Sequence, residues 1–358
     1  MADILVPSDY PEQLLYSQES VIRPPALLGN VLISSKFINY LIKLFWWFTV
    51  FWRYEFHLYH GRPPLFSYFE KKLGLNRLFG SDFLLELWLS KIFGVKLIYL
   101  PTGCRDIDTK SDWSRLDQGN VCGNCGASDR CDDQLNVLNF SRLRRYFDSA
   151  IESCTPQISL QYTEKFRQWK CIDLNLWHPS LKIPEEHVLV DTGGIRILHS
   201  TYLEKSGRSW QGRNIKGSPY VLAAIDKLKE EGYLVEYFHI NNTPSNLMRF
   251  YQVQADIVVE QLIVGWWGST GVETMALGKP VVCYLRPSWK AFFLKTFPEY
   301  EGLPIVEADT NTIYGALKKL VTDEGYRRQK GKESRLFAEK YFDPEKNTMA
   351  LIKVLETI

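Results

Sequence analysis

From Ile195 onward, short apolar runs alternate with longer segments of helical period, and few folds accept that order. Ile195–His199, Leu234–His239, Ile257–Val259 and Pro280–Tyr284 read as strands. Ser218–Glu231, Ser245–Gln254, Val272–Leu277 and Thr310–Thr322 read as helices, with Gly232 and Gly278 as stops. Strands alternating with helices of this size give a parallel sheet covered on both faces, a doubly wound α/β domain. The first half is less regular. Strands are expected over Ile4–Pro7, Tyr54–Tyr59 and Val95–Leu100. Helices are expected over Leu27–Phe51, over Asp82–Phe93 with Ser81 as N-cap, and over Ser141–Ser153.

The 358 residues ask for two domains, since single cores seldom grow past ~250–300 residues. Pro179 and Pro184 bracket a polar turn, so the expected division sets residues 1–180 against 181–342, with a last helix over Asp343–Ile358. Apolar residues are 45% and charged residues 23%, which excludes a wholly disordered chain. The 43 Lys and Arg against 41 Asp and Glu leave a net charge of +2, so no nucleic-acid partner is expected. Met1–Pro24 lacks a basic segment followed by an apolar one, the pattern of a signal peptide. The most apolar stretch, Phe37–Trp52, is broken by Asn39, Lys43 and Thr49 and falls short of the ~20 residues that span a bilayer. A cytoplasmic protein with reduced thiols is expected.

The densest motif lies within Ala255–Leu285: a strand, the turn Gly268-Ser269-Thr270-Gly271, and a helix beginning at once with Val272. Small residues let a ligand approach the backbone, and a helix N-terminus offers unpaired N–H groups and partial positive charge to a diphosphate. Glu273 is expected in the first helical turn, placed to accept hydrogen bonds from ribose hydroxyls. The competing reading is a tight strand-to-helix turn in which Glu273 only favours the helix dipole. Gly-x-Ser-x-Gly, a phosphate-loop lysine and Gly-x-Gly-x-x-Gly are all absent, so no nucleophile elbow or dinucleotide fingerprint competes.

The run GSTGVETMALGKPVV resembles the nucleotide-sugar site of family 4-like glycosyltransferases of the GT-B fold, in which a glycine-rich turn precedes Glu-Ala-Met-Ala-x-Gly-x-Pro-Val. ADIVVEQL fits the strand before that site, and residues 199–232 resemble the strand, basic loop and helix that open such a domain. Upstream, FHLYHGR and LIYLPTGCRDI resemble strand ends of some bacterial members. The resemblance implies two Rossmann-like domains facing a cleft, the second binding the donor and the first the acceptor, with the terminal helix bracing the first. It implies a glycosyltransferase moving a sugar from a nucleotide-diphosphate sugar to a glycan or lipid-linked acceptor, with retention and without a catalytic metal. Polysaccharide assembly at the inner face of a membrane is the setting it suggests. Residues 268–272 and Glu273 then hold the donor, and Arg213 and Lys216 neutralise the leaving diphosphate, the competing reading being a solvated basic loop with Lys205 and Arg208. Two departures stand out. Gly265 takes the place of the first of two glutamates eight residues apart, with Glu260 too early to replace it, and Thr102 takes the place of a histidine. His60, at another strand end, is the candidate to fill that space. These departures keep two alternatives open: a catalytically silent scaffold, or another GT-B-like enzyme acting on nucleotide-activated groups.

Four of the seven cysteines cluster in the loop 104–131: Cys104, Cys122, Cys125 and Cys131. In ligand count this is a structural zinc pattern, and Gly123, Gly126 and Asp132 supply the turns of a knuckle. A redox Cys-x-x-Cys pair, an iron–sulfur cluster and ordinary thiols remain alternatives. The aromatic segment 37–53, flanked by Lys36, Lys43 and Arg53, has two readings: a helix lying in a membrane interface, or an all-round apolar core helix.

Overall fold

The structure is a computed structural model that describes residues 4–5, 21–22, 45, 48, 53–60, 74–80, 83–100, 109–115, 120–126, 131–150, 171–200, 209–210, 213–240, 243–296, 298–300 and 302–358. Strands β1 (Ile4–Leu5) and β2 (Val21–Ile22) pair in parallel. Strands β3 (Phe56–His60), β4 (Lys96–Leu100) and β5 (Ser149–Ala150) form a second parallel sheet in that order. Leu97, Ile98 and Tyr99 of β4 are all buried, as a strand covered on both faces requires. Among the described residues, this half also holds helices α1 (Leu75–Leu78), α2 (Leu85–Ile92), α3 (Lys110–Ser114) and α4 (Asp133–Arg144).

Two sequence expectations need correction here. Helix α2 starts at Leu85 with Leu84 as a bare N-cap, not at Asp82 behind Ser81. The helix expected over 141–153 instead ends at Arg144, and the chain enters β5. Asp148 is the reason: its N–H donates to the Leu97 carbonyl at 2.8 Å, and its carboxylate accepts from Leu97 N at 2.8 Å and Lys91 Nζ at 2.6 Å. Pairing with β4 outweighs the local helical pattern. The helix expected over 27–51 lies outside the described residues except Phe45 and Phe48, the latter meeting Phe93 edge-on at 6.3 Å.

The second half holds a five-stranded parallel sheet: β6 (Ile195–Ser200), β9 (Val235–Ile240), β10 (Ile257–Gln261), β11 (Val281–Cys283) and β12 (Val306–Glu307). Strands β7 (Ser209–Trp210) and β8 (Arg213–Asn214) make a small antiparallel hairpin after β6. Seven helices follow: α5 (Ser218–Glu230), α6 (Ser245–Gln252), α7 (Ser269–Ala276), α8 (Pro287–Thr296), α9 (Ile313–Thr322), α10 (Glu324–Tyr341) and α11 (Pro344–Leu355). All five residues of β10 are buried, so this strand is the centre of the sheet. Helix α5 covers it with Val221, Ala224, Ile225 and Leu228, a stripe of helical period. Gly232 and Gly278, at φ +86 and +68, take the left-handed turn that ends a helix, as the sequence suggests.

Helices α8 and α10 and strand β12 carry no assignment from the sequence. Helix α10 buries mainly Gly331, Ser334, Phe337 and Ala338, too sparse a stripe to announce itself. Its smallness has a cause: a Cβ at Gly331 would sit 2.5 Å from the carbonyl oxygen of Gly278.

Residues from both sides of the expected 180/181 division share one apolar cluster. Trp113, Val121, Ile172 and Trp177 pack with Trp267, Met275, Trp289 and Phe342. The last helix runs the other way: Leu351 packs against Ile98 of β4, and Lys96 Nζ donates to the carbonyl of Ile358 at 3.3 Å. Among the described residues, no helix is long and apolar enough to cross a membrane.

The larger sheet runs β12-β11-β10-β6-β9. The chain therefore changes direction across the sheet between β6 and β10. Ligands of open parallel sheets bind outside the carboxyl ends of the strands at such a switch point.

Candidate functional site

Two loops meet at that place, one leaving β6 and one leaving β10. The second is held by Gln261, a residue the sequence reading passed over. Its Oε1 accepts from Ile263 N at 3.1 Å and Val264 N at 2.7 Å, while its Nε2 donates to the Trp266 carbonyl. Trp266 and Trp267 stack at 4.3 Å and are buried against Phe293. Arg286, fully buried, donates from its backbone N–H to Gly265 O at 2.8 Å and from Nη2 to Val264 O at 3.2 Å. Every turn of the loop is thus pinned to something behind it.

Gly265 explains the missing carboxylate. Its φ is +100, and a Cβ there would lie 2.7 Å from the Cβ of Arg286. The position is a left-handed corner packed beneath an arginine, with no room for a side chain.

The loop after β6 is organised by Asn214, whose Oδ1 accepts from Lys216 N at 3.0 Å and Ser218 N at 3.4 Å. Gly217, at φ +80, turns the chain into α5 and lies against Leu262, where a Cβ would approach to 3.0 Å. Leu262 N donates to Lys216 O at 3.1 Å and ties the two loops together. Beneath them, buried His199 bonds through Nδ1 to Val259 O at 2.8 Å and through Nε2 to Ser218 Oγ at 2.7 Å. A carbonyl only accepts, so Nδ1 carries the proton and, in the neutral ring, Nε2 accepts from the serine hydroxyl. The start of α5 is thereby fastened to the end of β10.

Lys216 lies at this junction, and its partner is Glu260, the last but one residue of β10. Lys216 Nζ is 3.2 Å from Glu260 Oε1, with the two side chains 12% and 3% exposed. Glu260 Oε2 has no hydrogen-bond partner among the described residues. Cβ atoms built on Gly268 and Gly271 would stand 3.3 Å from Oε1 and 3.2 Å from Oε2. The two glycines of the turn therefore accommodate a carboxylate of the chain itself. Glu260 also raises the thiol pKa of Cys283 beneath it, after burial, the larger cause.

The structure corrects the placement of Glu273. Helix α7 begins at Ser269, with Gly268 as N-cap, so Glu273 falls in the second turn rather than the first. It is buried and accepts from Gln252 Nε2 of α6 at 3.1 Å. Ser269 is exposed, Thr270 half-buried, and Gly271 and Val272 buried.

The other candidates are located as follows. Arg213 is on β8 opposite Trp210 and His60 ends β3 opposite Leu100, while their side chains lie outside the described residues. Thr102 and Cys104 lie outside them altogether. Cys122 and Cys125 occupy a turn in which Cys125 N donates to Cys122 O at 3.2 Å and Gly123 N to Asn120 Oδ1 at 2.7 Å. Burial, then the neighbouring Cys131 and Cys125, raise the Cys122 thiol above its ordinary value. Among the described residues, no group of three or more His, Cys, Asp and Glu side chains is arranged to hold a metal ion.

No protein-family model and no curated protein matches the chain. Solved structures do match it. Sucrose-phosphate synthase from Thermosynechococcus elongatus superposes with a TM-score of 0.55 at 13% identity, over 98% of this chain and 86% of that one. A glycosyltransferase from Rickettsia africae gives 0.53 at 11% identity, over 94% and 86%. Anabaena HepE in complex with UDP and glucose gives 0.50 at 12% identity, over 94% and 86%. The fold is GT-B. The junction of Lys216, Glu260 and the start of α7 thus lies at the switch point of the C-terminal sheet of a GT-B chain.

Proposed function

We propose that the chain is a glycosyltransferase that takes a sugar from a nucleotide-diphosphate sugar and passes it to a glycan or lipid-linked acceptor. One observation carries this reading: the N-termini of α5 and α7 and the Lys216 ammonium converge at the switch point. Each brings positive charge to one place, and a diphosphate is the ligand that such a place suits.

The chemistry asked of the protein is modest. The bond from the anomeric carbon to the diphosphate oxygen breaks, the acceptor oxygen bonds to that carbon, and the acceptor's proton passes to the departing diphosphate. The leaving diphosphate gains negative charge, and fixed donors aimed at that charge lower the barrier. Lys216, with Arg213, serves this step, and Glu273 serves the ribose. Retention of configuration, absence of a catalytic metal and a place in polysaccharide assembly belong to the same proposal, supported by the motif resemblance. Contact of residues 37–53 with an anionic membrane surface belongs to it too. It is supported by the Phe48–Phe93 contact beside exposed Ile92 and by Lys43 and Arg53 nearby in the chain.

The test is thermal melting of the full chain with UDP, GDP, CDP and ADP and their sugar conjugates. A ligand at 100 times its Kd adds about 2.7 kcal/mol to the native state. The reading expects one nucleotide class to raise Tm and Lys216→Ala to abolish the rise. No rise with any of them returns the chain to the second reading, a silent scaffold, which the closed corner at Gly265 favours.

A further inference from the structure

Helix α3 is five residues long and buries one of them, Trp113. The helix is held from the first half of the chain. Thr109 and Asp112 close a capping box at its start, and Asp133 of α4 accepts from Lys110 N at 2.6 Å, Ser111 N at 3.0 Å and Ser111 Oγ at 2.7 Å. Its buried ring is received by the second half, where Trp113 meets buried Trp289 of α8 edge-on at 5.5 Å. Behind Trp289 stands Arg286. Its guanidinium carbon lies 5.5 Å from the centroid of the Trp289 ring and 5.6 Å from that of Tyr284. Its Nη2 donates to Ile263 O at 3.4 Å and Val264 O at 3.2 Å, and its backbone N–H to Gly265 O at 2.8 Å. A guanidinium keeps its charge when buried, and aromatic faces hold a cation best where water is excluded. A continuous line of contacts thus runs from α3 through Trp289 and Arg286 to the loop that leads into α7.

We propose that Trp113 is a positioning residue for the switch-point site: through Trp289 and Arg286 it holds the loop 263–268 in the shape that presents the start of α7, so the site of the second half is fully formed only while α3 of the first half is seated. The inference takes its ligand from the donor-site reading above, while its line of contacts stands without that reading. Removing the Trp113 ring opens the edge of Trp289 to water and lets Arg286 exchange a ring face for solvent. The carbonyls of Ile263, Val264 and Gly265 then lose a fixed donor, and the loop samples more than one shape. A ligand that needs one of those shapes binds more weakly in proportion to the population lost.

The experiment is amide hydrogen exchange of the full chain without ligand, paired with calorimetric titration of the nucleotide class found by melting. Trp113→Leu keeps an apolar side chain and removes the ring, while Trp113→Phe restores a ring edge. In Trp113→Leu the amides of 264–268 are expected to exchange about tenfold faster, with those of β10 and α5 unchanged. Nucleotide affinity is expected to fall about fivefold. Trp113→Phe should recover most of both. Trp289→Leu should speed the same amides, and the double variant Trp113→Leu/Trp289→Leu no more than Trp289→Leu alone, as one line of contacts requires. Faster exchange confined to α3 and the turn 120–126, or raised alike over the whole chain, would show a packing role only and overturn the proposal, as would additive effects in the double variant. If Trp113→Leu does not fold, Asp133→Ala frees the start of α3 instead, and unchanged exchange over 264–268 in that variant refutes the proposal. If wild type binds no nucleotide, the donor-site reading fails while the exchange results still decide the coupling.

Discussion

The Lys216–Glu260 pair makes a stability prediction that does not depend on any ligand. Lys216→Met removes the ammonium and keeps most of the stem. Glu260 then remains 3% exposed without its counter-charge. Removing one partner of a buried ion pair costs about 3–5 kcal/mol. Glu260→Leu is milder, because Lys216 at 12% exposure has a flexible stem that can carry its charge toward water, and about 1–2 kcal/mol is expected. The double variant Lys216→Met/Glu260→Leu replaces the pair with apolar atoms of similar volume and should stay within about 1 kcal/mol of wild type. The singles then sum to about 5 kcal/mol against about 1 for the double, a coupling near 4 kcal/mol. Lys216→Met alone should lower Tm by roughly 10 °C for a domain of this size. Urea unfolding followed by circular dichroism measures all four chains. A double variant as unstable as the sum of the singles would refute the reasoning, because the two charges would then not be a pair.

Three further outcomes follow from the same structure. Gly265→Ala should destabilise by about 2–4 kcal/mol, from left-handed strain together with overlap on Arg286, and an unchanged Tm would contradict the geometry. Cys283 is fully buried with its thiol pKa raised by burial, so iodoacetamide should modify exposed Cys171 in the native protein and reach Cys283 only after unfolding, as read by peptide mass mapping. Asp309 is pushed up by burial but pulled further down by Thr312 Oγ1 and by the N–H groups of Asn311 and Thr312, so its pKa is lowered. A carboxyl depressed in the folded state adds stability above its ordinary value of 3.8 that is lost as pH falls through its folded value. Asp309→Asn should therefore narrow the stability gap between pH 6 and pH 3, and denaturant midpoints at the two pH values decide it.

The C-terminal sheet was legible because its strands are covered on both faces and so read as unbroken apolar runs, while Gly232 and Gly278 mark helix ends by conformation alone. Strand β5 was not, because its two residues are placed by Asp148 reaching back to Leu97 across the sheet, a contact with no local signature. Helix α10 was not, because Phe337 is the one large side chain among the four it buries, beside a glycine, a serine and an alanine. In the candidate site, Lys216 and the turn 268–272 were visible from residue type and order. Glu260 stands too early in the chain to fill the place of Gly265, and residue order alone gives no reason to bring it to the glycine turn. The loop 262–268 folds back on itself around Gln261, and that return brings a carboxylate of the strand to the glycines of the helix. Linear spacing measures chain length, and a looped segment makes chain length a poor guide to distance. Glu273 is expected in the first turn and lies in the second, because Gly268 rather than Gly271 is the N-cap.

The run beginning at Cys171 and the one ending at Phe342 lie side by side, joined where Ile172 N donates to the Phe342 carbonyl at 3.0 Å. Beyond Phe342 the chain returns to the first half and finishes against Ile98. The two halves are thus linked by two adjacent lengths of polypeptide instead of one. A single tether acts as a swivel. A pair bonded through Ile172 N and the Phe342 carbonyl cannot turn about its own length without breaking that hydrogen bond.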